Sequence, residues 1–140
     1  MKYRKLIKNF ISMIVINLIS FFSIILTFIL FYSLRFDKMI VLIRKISGFL
    51  LRNFKKRRDV GEIFYYSRKM NNFFGIKSCL KICISQKIIF SFLGYKIVII
   101  NGIKQSFDNS LKGHAWIEID DRPITHIDDD ISGYSKSFII

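Results

Sequence analysis

Few residues in this 140-residue chain have side chains suited to covalent chemistry, and their spacing is suggestive. Cys79 and Cys83 stand one helical turn apart; His114 and His126 follow, and Asp128, Asp129 and Asp130 close the series. A thiol attacks only as thiolate, and the unpaired N–H groups of a helix's first turn favour that form. Cys79 directly follows Ser78, a candidate N-cap beyond a break at Gly75, and so occupies such a first turn. Cys83 lies deeper, where the field has decayed, and reads as a packing residue. His114 opens a strand after Gly113; an imidazole there can take the thiol proton and later protonate a leaving amine. A carboxylate would hold its tautomer. A turn over 120–122 sets Asp128 opposite His114, whereas a turn over 121–122 sets Asp129 there.

Other chemistries fit less well. Cys79, Cys83, His114 and His126 can be counted as four zinc ligands, but C-x3-C inside a helix is not the C-x2-C of a zinc knuckle. No metal is assigned, and no cofactor, since no glycine-rich phosphate cradle is present. Asn101-Gly102 is a turn signal. Two cysteines four apart cannot staple a fold, which excludes the disulfide-scaffold classes and favours a reducing compartment.

The elements that must position these groups can be read from periodicity. Residues 61–72 form a short helix with an aromatic side. A central helix runs from Cys79 to Leu93, closed by Gly94, with Lys81 and Lys87 reaching solvent or snorkelling. Residues 95–103 (YKIVIINGI) are β-branched enough for a strand, and 104–113 form a loop. From His114 to Asp120 the pattern alternates, with His114, Trp116 and Glu118 on one side and Ala115, Ile117 and Ile119 on the other. Residues 124–127 return as the next strand. Helices followed by a small antiparallel sheet make an α+β fold.

Charge divides the chain. Residues 1–107 hold 20 Lys and Arg against 3 acids, while 108–140 hold 3 against 7. From Asn9 to Leu34 there is no charge at all, and as a helix that stretch is about 39 Å long against a hydrocarbon core of roughly 30 Å. It is too long for a cleavable signal and lacks a small-x-small site before Arg35. It reads as a membrane span or deep insertion, the alternative being a helix buried in the protein. A second helix over 37–58 has an apolar stripe and a basic side, suited equally to an anionic membrane surface or to a wet domain face. The richer cationic flank follows the apolar run, which places the remaining chain in the cytoplasm. Two regions result: 1–58, apolar and basic, and 59–140, the catalytic domain. The basic run at 55–58 lacks the interleaved aromatics of a nucleic-acid site, and no nucleic-acid partner is assigned.

The segments SCLKICISQKIIFSFLGYKIVIINGI and GHAWIEIDDRPI resemble the transglutaminase-like B2 proteins of lasso-peptide biosynthesis. Shared are Cys-Leu opening a long helix, a Gly before a strand with another inside it, and His-Ala-Trp-x-Glu followed by a short turn. The resemblance covers roughly residues 60–128. It implies a transglutaminase-like or papain-like cysteine peptidase core, in which a helix with an N-terminal Cys packs on a small antiparallel sheet. It further implies removal of the leader from a ribosomally made precursor peptide, with a separate leader-recognition protein and an ATP-dependent lasso cyclase as partners. The catalytic Cys falls on Cys79 and the His on His114. The family's Asp position lands on His126, so the nearest acid on that strand face, Asp128, is the first choice and Asp129 the second.

The functional reading requires the Cys79 sulfur and the His114 imidazole to meet across one groove. Trp116, on the His114 side of its strand, would wall that groove or serve as a core aromatic. The competing class is a non-catalytic, membrane-associated scaffold or assembly subunit.

Overall fold

The computed structural model describes residues 2–53, 58–124 and 131–140. In chain order they form α1 (Lys2–Ser33), α2 (Phe36–Asn53), α3 (Val60–Phe73), α4 (Cys79–Phe92), β1 (Val98–Gln105), β2 (Leu111–Ile119), β3 (Arg122–Ile124) and β4 (Ser135–Ile139). The strands make one antiparallel sheet in the order β3-β2-β1-β4. The fold is α+β, with the helices layered on one sheet face and the apolar α1 leading.

The sequence of α4 explains its central place. Its apolar residues do not gather on one side, and every residue from Ile82 to Ser91 is buried. Such a helix needs neighbours all round: α1, α2 and α3 pack on it from one side, β1 and β2 from the other. Ile84, Ile88 and Ile89 meet Ile99, Ala115 and Ile117 of the sheet in the main core. The polar residues of α4 are satisfied toward α3. The Ser85 hydroxyl lies 3.0 Å from Asn71 Oδ1 and the Gln86 amide donates to Ser67 Oγ at 3.2 Å. Asn71 in turn donates to the Ser67 carbonyl at 2.8 Å. Lys87 does not reach solvent as its charge suggests it should. Its Nζ donates to the Ile97 carbonyl at 2.7 Å, and burial, followed by the charges of Arg44 and Lys96, lowers its pKa to about 8.

Gly94 ends α4 in the left-handed region at φ 81°, with Tyr95 N–H donating to Phe90 C=O at 2.8 Å and Gly94 N–H to Ser91 C=O at 3.1 Å. This pair of bonds closes the helix and starts the turn that leads into β1. The strands depart from the sequence reading at their ends. β1 starts at Val98 and extends to Gln105, with Asn101-Gly102 inside it as in the expected strand 95–103. β2 starts at Leu111, so His114 is its fourth residue rather than its first. The β2–β3 turn is Asp120-Asp121, since Ile119 pairs with Arg122; neither 120–122 nor 121–122 is the loop. Both aspartates have positive φ, 50° and 60°, the backbone of a type I′ hairpin turn.

Among the described residues, one stretch, Phe10–Ser33 in α1, is long and apolar enough to cross a membrane, with a mean hydropathy of 2.7.

Candidate functional site

Cys79 is the first residue of α4 and is half-buried at the margin of the main core. Ser78 takes the N-cap position with extended backbone (φ −73°, ψ 116°), but its hydroxyl makes no capping bond. The first-turn N–H groups of α4 therefore have no side-chain cap competing for them, which leaves them available to a thiolate or to an oxyanion. Cys83 is buried among core residues one turn on, and neither cysteine is in a disulfide.

His114 sits in an aromatic cluster. Its ring stacks on Trp116 with centroids 6.3 Å apart at 23°, and lies 5.6 Å from Tyr134 at 44°. Trp116 is only 5% exposed and lies against Gly102, where a Cβ would come within 2.8 Å of two carbons of the indole. Its Nε1 donates to Glu118 Oε1 at 3.0 Å, and Glu118, 6% exposed, also accepts from Lys136 Nζ at 2.9 and 3.1 Å. Burial pushes the Glu118 carboxyl up, but the bonds from Trp116 and Lys136 outweigh it and hold the pKa below the ordinary value. The His-x-Trp-x-Glu pattern is thus a row on one face of β2. His114 stacks on Trp116, and the buried Glu118 carboxylate fixes the indole.

The positions of Cys79 and His114 along the chain can both be counted from one contact. Lys87 bonds to Ile97, so the middle of α4 lies beside the start of β1. Eight residues of helix lead back from Lys87 to Cys79, about 12 Å; five residues of strand lead from Ile97 to Gly102, about 16 Å. Gly102 pairs with His114. Strand alternation separates the two groups. Ala115 and Ile117 face the core that Cys79 borders, whereas His114 and Trp116 belong to the opposite face of β2. Among the described residues, no hydrogen bond joins Cys79 to His114, and none reaches the His114 ring.

Asp128, Asp129 and His126 lie outside the described residues. Among the described residues, no three His, Cys, Asp or Glu side chains gather as a metal site would require. The sequence reading missed Gly102, Tyr134 and Lys136 as parts of this cluster. Gly102 carried a signal, since a glycine opposite a Trp-bearing strand marks close approach of a large ring. Tyr134 and Lys136 carried none, because the short, serine-rich β4 has no strong strand pattern of its own.

Compared with known proteins, the chain matches the family model of the transglutaminase-like superfamily over residues 50–138. No curated protein and no solved structure matches it.

Proposed function

The chain belongs to the transglutaminase-like superfamily, and on that premise we propose that it is a cysteine peptidase that removes the leader from a lasso-peptide precursor. The observation that supports the reading is an uncapped first turn bearing Cys79, in a domain whose β2 carries the His-Ala-Trp-x-Glu pattern. Members of the superfamily are often cysteine-dependent acyl-transfer enzymes, and Cys79-Leu80 with His114-Ala115-Trp116 carries the likeness to the B2 proteins.

In the proposed reaction, His114 takes the Cys79 proton and the thiolate attacks the carbonyl at the leader–core junction. The Cys79 N–H receives the developing oxyanion. Collapse breaks the peptide bond, His114 returns the proton to the departing amine, and a thioester remains on Cys79. Water, deprotonated by His114, then releases the acid and restores the thiol. For this the imidazole must leave its stack on Trp116 and reach around β2 to the α4 side; no hydrogen bond among the described residues holds it on the indole. Asp128, with Asp129 second, is the acid proposed to orient it. The partners in this reading are the precursor peptide, a leader-recognition protein and the ATP-dependent cyclase, at the cytoplasmic face of the cell membrane.

A second reading, a non-catalytic scaffold in the same maturation complex, is favoured by one observation: Cys79 and His114 border opposite faces of β2. Precursor cleavage with the recognition protein present separates the two. Cys79→Ala and His114→Ala should each abolish cleavage, while Cys83→Ala should retain turnover in whatever fraction stays folded. Cleavage unchanged in Cys79→Ala would overturn the peptidase reading in favour of the scaffold.

A further inference from the structure

Helix α1 is built inside out. Its hydroxyl residues Ser12, Ser20, Ser23 and Thr27 are buried against the protein, together with Ile16, Ile24 and Leu30. Ser23 and Thr27 return their hydroxyl hydrogens to the carbonyls of Ile19 and Ser23, each at 2.7 Å, which lets them sit in an apolar seam. The opposite side presents Phe10, Ile14, Leu18, Phe22, Ile25 and Ile29, with Leu18 54% and Phe22 66% exposed. Spacings of three and four make these one continuous stripe along the helix. A soluble surface has the reverse arrangement, and an apolar stripe this long marks a contact surface.

We propose that this stripe docks the protein on an anionic lipid bilayer with the α1 axis lying in the membrane plane rather than crossing it. This rests on the membrane location proposed above and is independent of the peptidase activity. Charge argues for lipid as the occupant. The formal net charge is +13, and Lys2, Arg4, Lys5 and Lys8 precede the stripe while Arg35 and Lys38 follow it. At the α1–α2 corner, Leu34, Val41 and Leu42 floor a shallow depression rimmed by Lys38 and Lys45, with Asp37 beside them. Apolar residues between cations match an acyl boundary beneath anionic headgroups.

The packing of α1 argues for the in-plane pose. Phe21, near the middle of the apolar stretch, meets Phe74, with ring centroids 5.7 Å apart, and Ile24 packs with Ile76 and Ile82. Residues 74–78, the exposed turn between α3 and α4, therefore stand level with the centre of α1. Were α1 to cross the bilayer, this irregular backbone and Lys77 would stand at mid-membrane depth, where lipid-exposed loops do not occur. Lys81, whose Nζ lies 5.4, 5.2 and 5.3 Å from the Phe28, Phe31 and Tyr32 rings, would be carried in with them.

The test uses the full chain and preformed phosphatidylcholine vesicles with and without phosphatidylglycerol. Binding should require the anionic lipid, and Phe22→Asp, on the exposed stripe, should weaken it at least tenfold without loss of helical signal. Cys79→Ser should bind like the unaltered chain, which separates docking from catalysis. In sealed vesicles reconstituted with the chain, an impermeant amine reagent should label Lys2, Lys5 and Lys8 on the same molecules as Lys38 and Lys96. Labelling of only one of these sets on each molecule would overturn the in-plane pose while leaving the membrane location standing. Failure to bind anionic vesicles, with a dimer in solution that Phe22→Asp dissociates, would overturn the proposal by assigning the stripe to a second copy of the chain.

Discussion

Replacing Gly102 with alanine would probe the His114 cluster through a single methyl group. The new Cβ would stand 2.8 Å from two carbons of the Trp116 six-membered ring and 3.0 Å from the Tyr134 Cβ. Ordinary carbon contacts are about 3.5–4.0 Å, so the indole must retreat by roughly 1 Å. Gly102 lies in extended β1 backbone, so alanine brings no strain of its own and the effect is steric. Retreat is opposed on two sides, by the Trp116–Glu118 bond at 3.0 Å and by the stacked His114 ring. Overpacking of this kind costs about 1–3 kcal/mol. A loss near 2 kcal/mol corresponds to a fall in Tm of roughly 5–8 °C for a chain of this size. Because His114 must leave that stack to act, precursor cleavage should fall only as far as the folded fraction does. Thermal unfolding reads the first effect and a cleavage time course the second. Trp116→Phe removes the clashing carbons, so the double variant should be more stable than the sum of the single losses by about 1 kcal/mol or more. If Gly102→Ala stays within about 0.5 kcal/mol of the unaltered chain, or the two changes simply add, the packing argument fails.

Lys87 provides a pH test. Its pKa is about 8 when folded, below its ordinary 10.5, so the unfolded chain binds more protons between these values and stability must rise with pH across that window. The full gain is about 3 kcal/mol, read by denaturant unfolding at pH 7.5 and 10; Lys87→Met should abolish it, and a rise that persists in that variant would refute the assignment to Lys87. At the β2–β3 turn, both aspartates hold positive φ, so Asp121→Gly should raise stability by about 0.5–1 kcal/mol; a lower denaturation midpoint would contradict a type I′ turn.

How much of this was legible depended on whether the signal was local. Gly75 and Gly94 mark helix ends by backbone chemistry alone, and α3 and α4 fall within a residue or two of the expected 61–72 and 79–93. The alternation from His114 to Ile119 assigns faces correctly because a strand has no other way to arrange them. Three features depended on distant partners and were misread or only half read. Asn101-Gly102 lies inside a strand as the reading of 95–103 has it, but the close approach of Trp116 to Gly102 shows only once β2 is beside it. Three successive acidic or basic residues, 120–122, allow several turn registers, and pairing of Ile119 with Arg122 selects one. Lys87 looked solvated because lysine usually is; only the carbonyls of Ile97 and Ile140, brought together by β1 and β4, give it an interior partner. For the candidate site, Cys79, His114 and Trp116 were visible by residue type, whereas Tyr134 and Lys136 depended on recognising β4.

The inward face of α1 also bears on how this protein can be handled. Ile16 and Leu30 belong to the main core, and Ile24 covers Ile76 and Ile82. Trimming the N-terminal helix to obtain a water-soluble version would therefore exchange one greasy surface for another, stripping cover from the helix that bears the nucleophile candidate. The N-terminal helix is also a wall of the building, so purification schemes and crystallisation variants should shield its outer side with detergent or lipid and leave it in place.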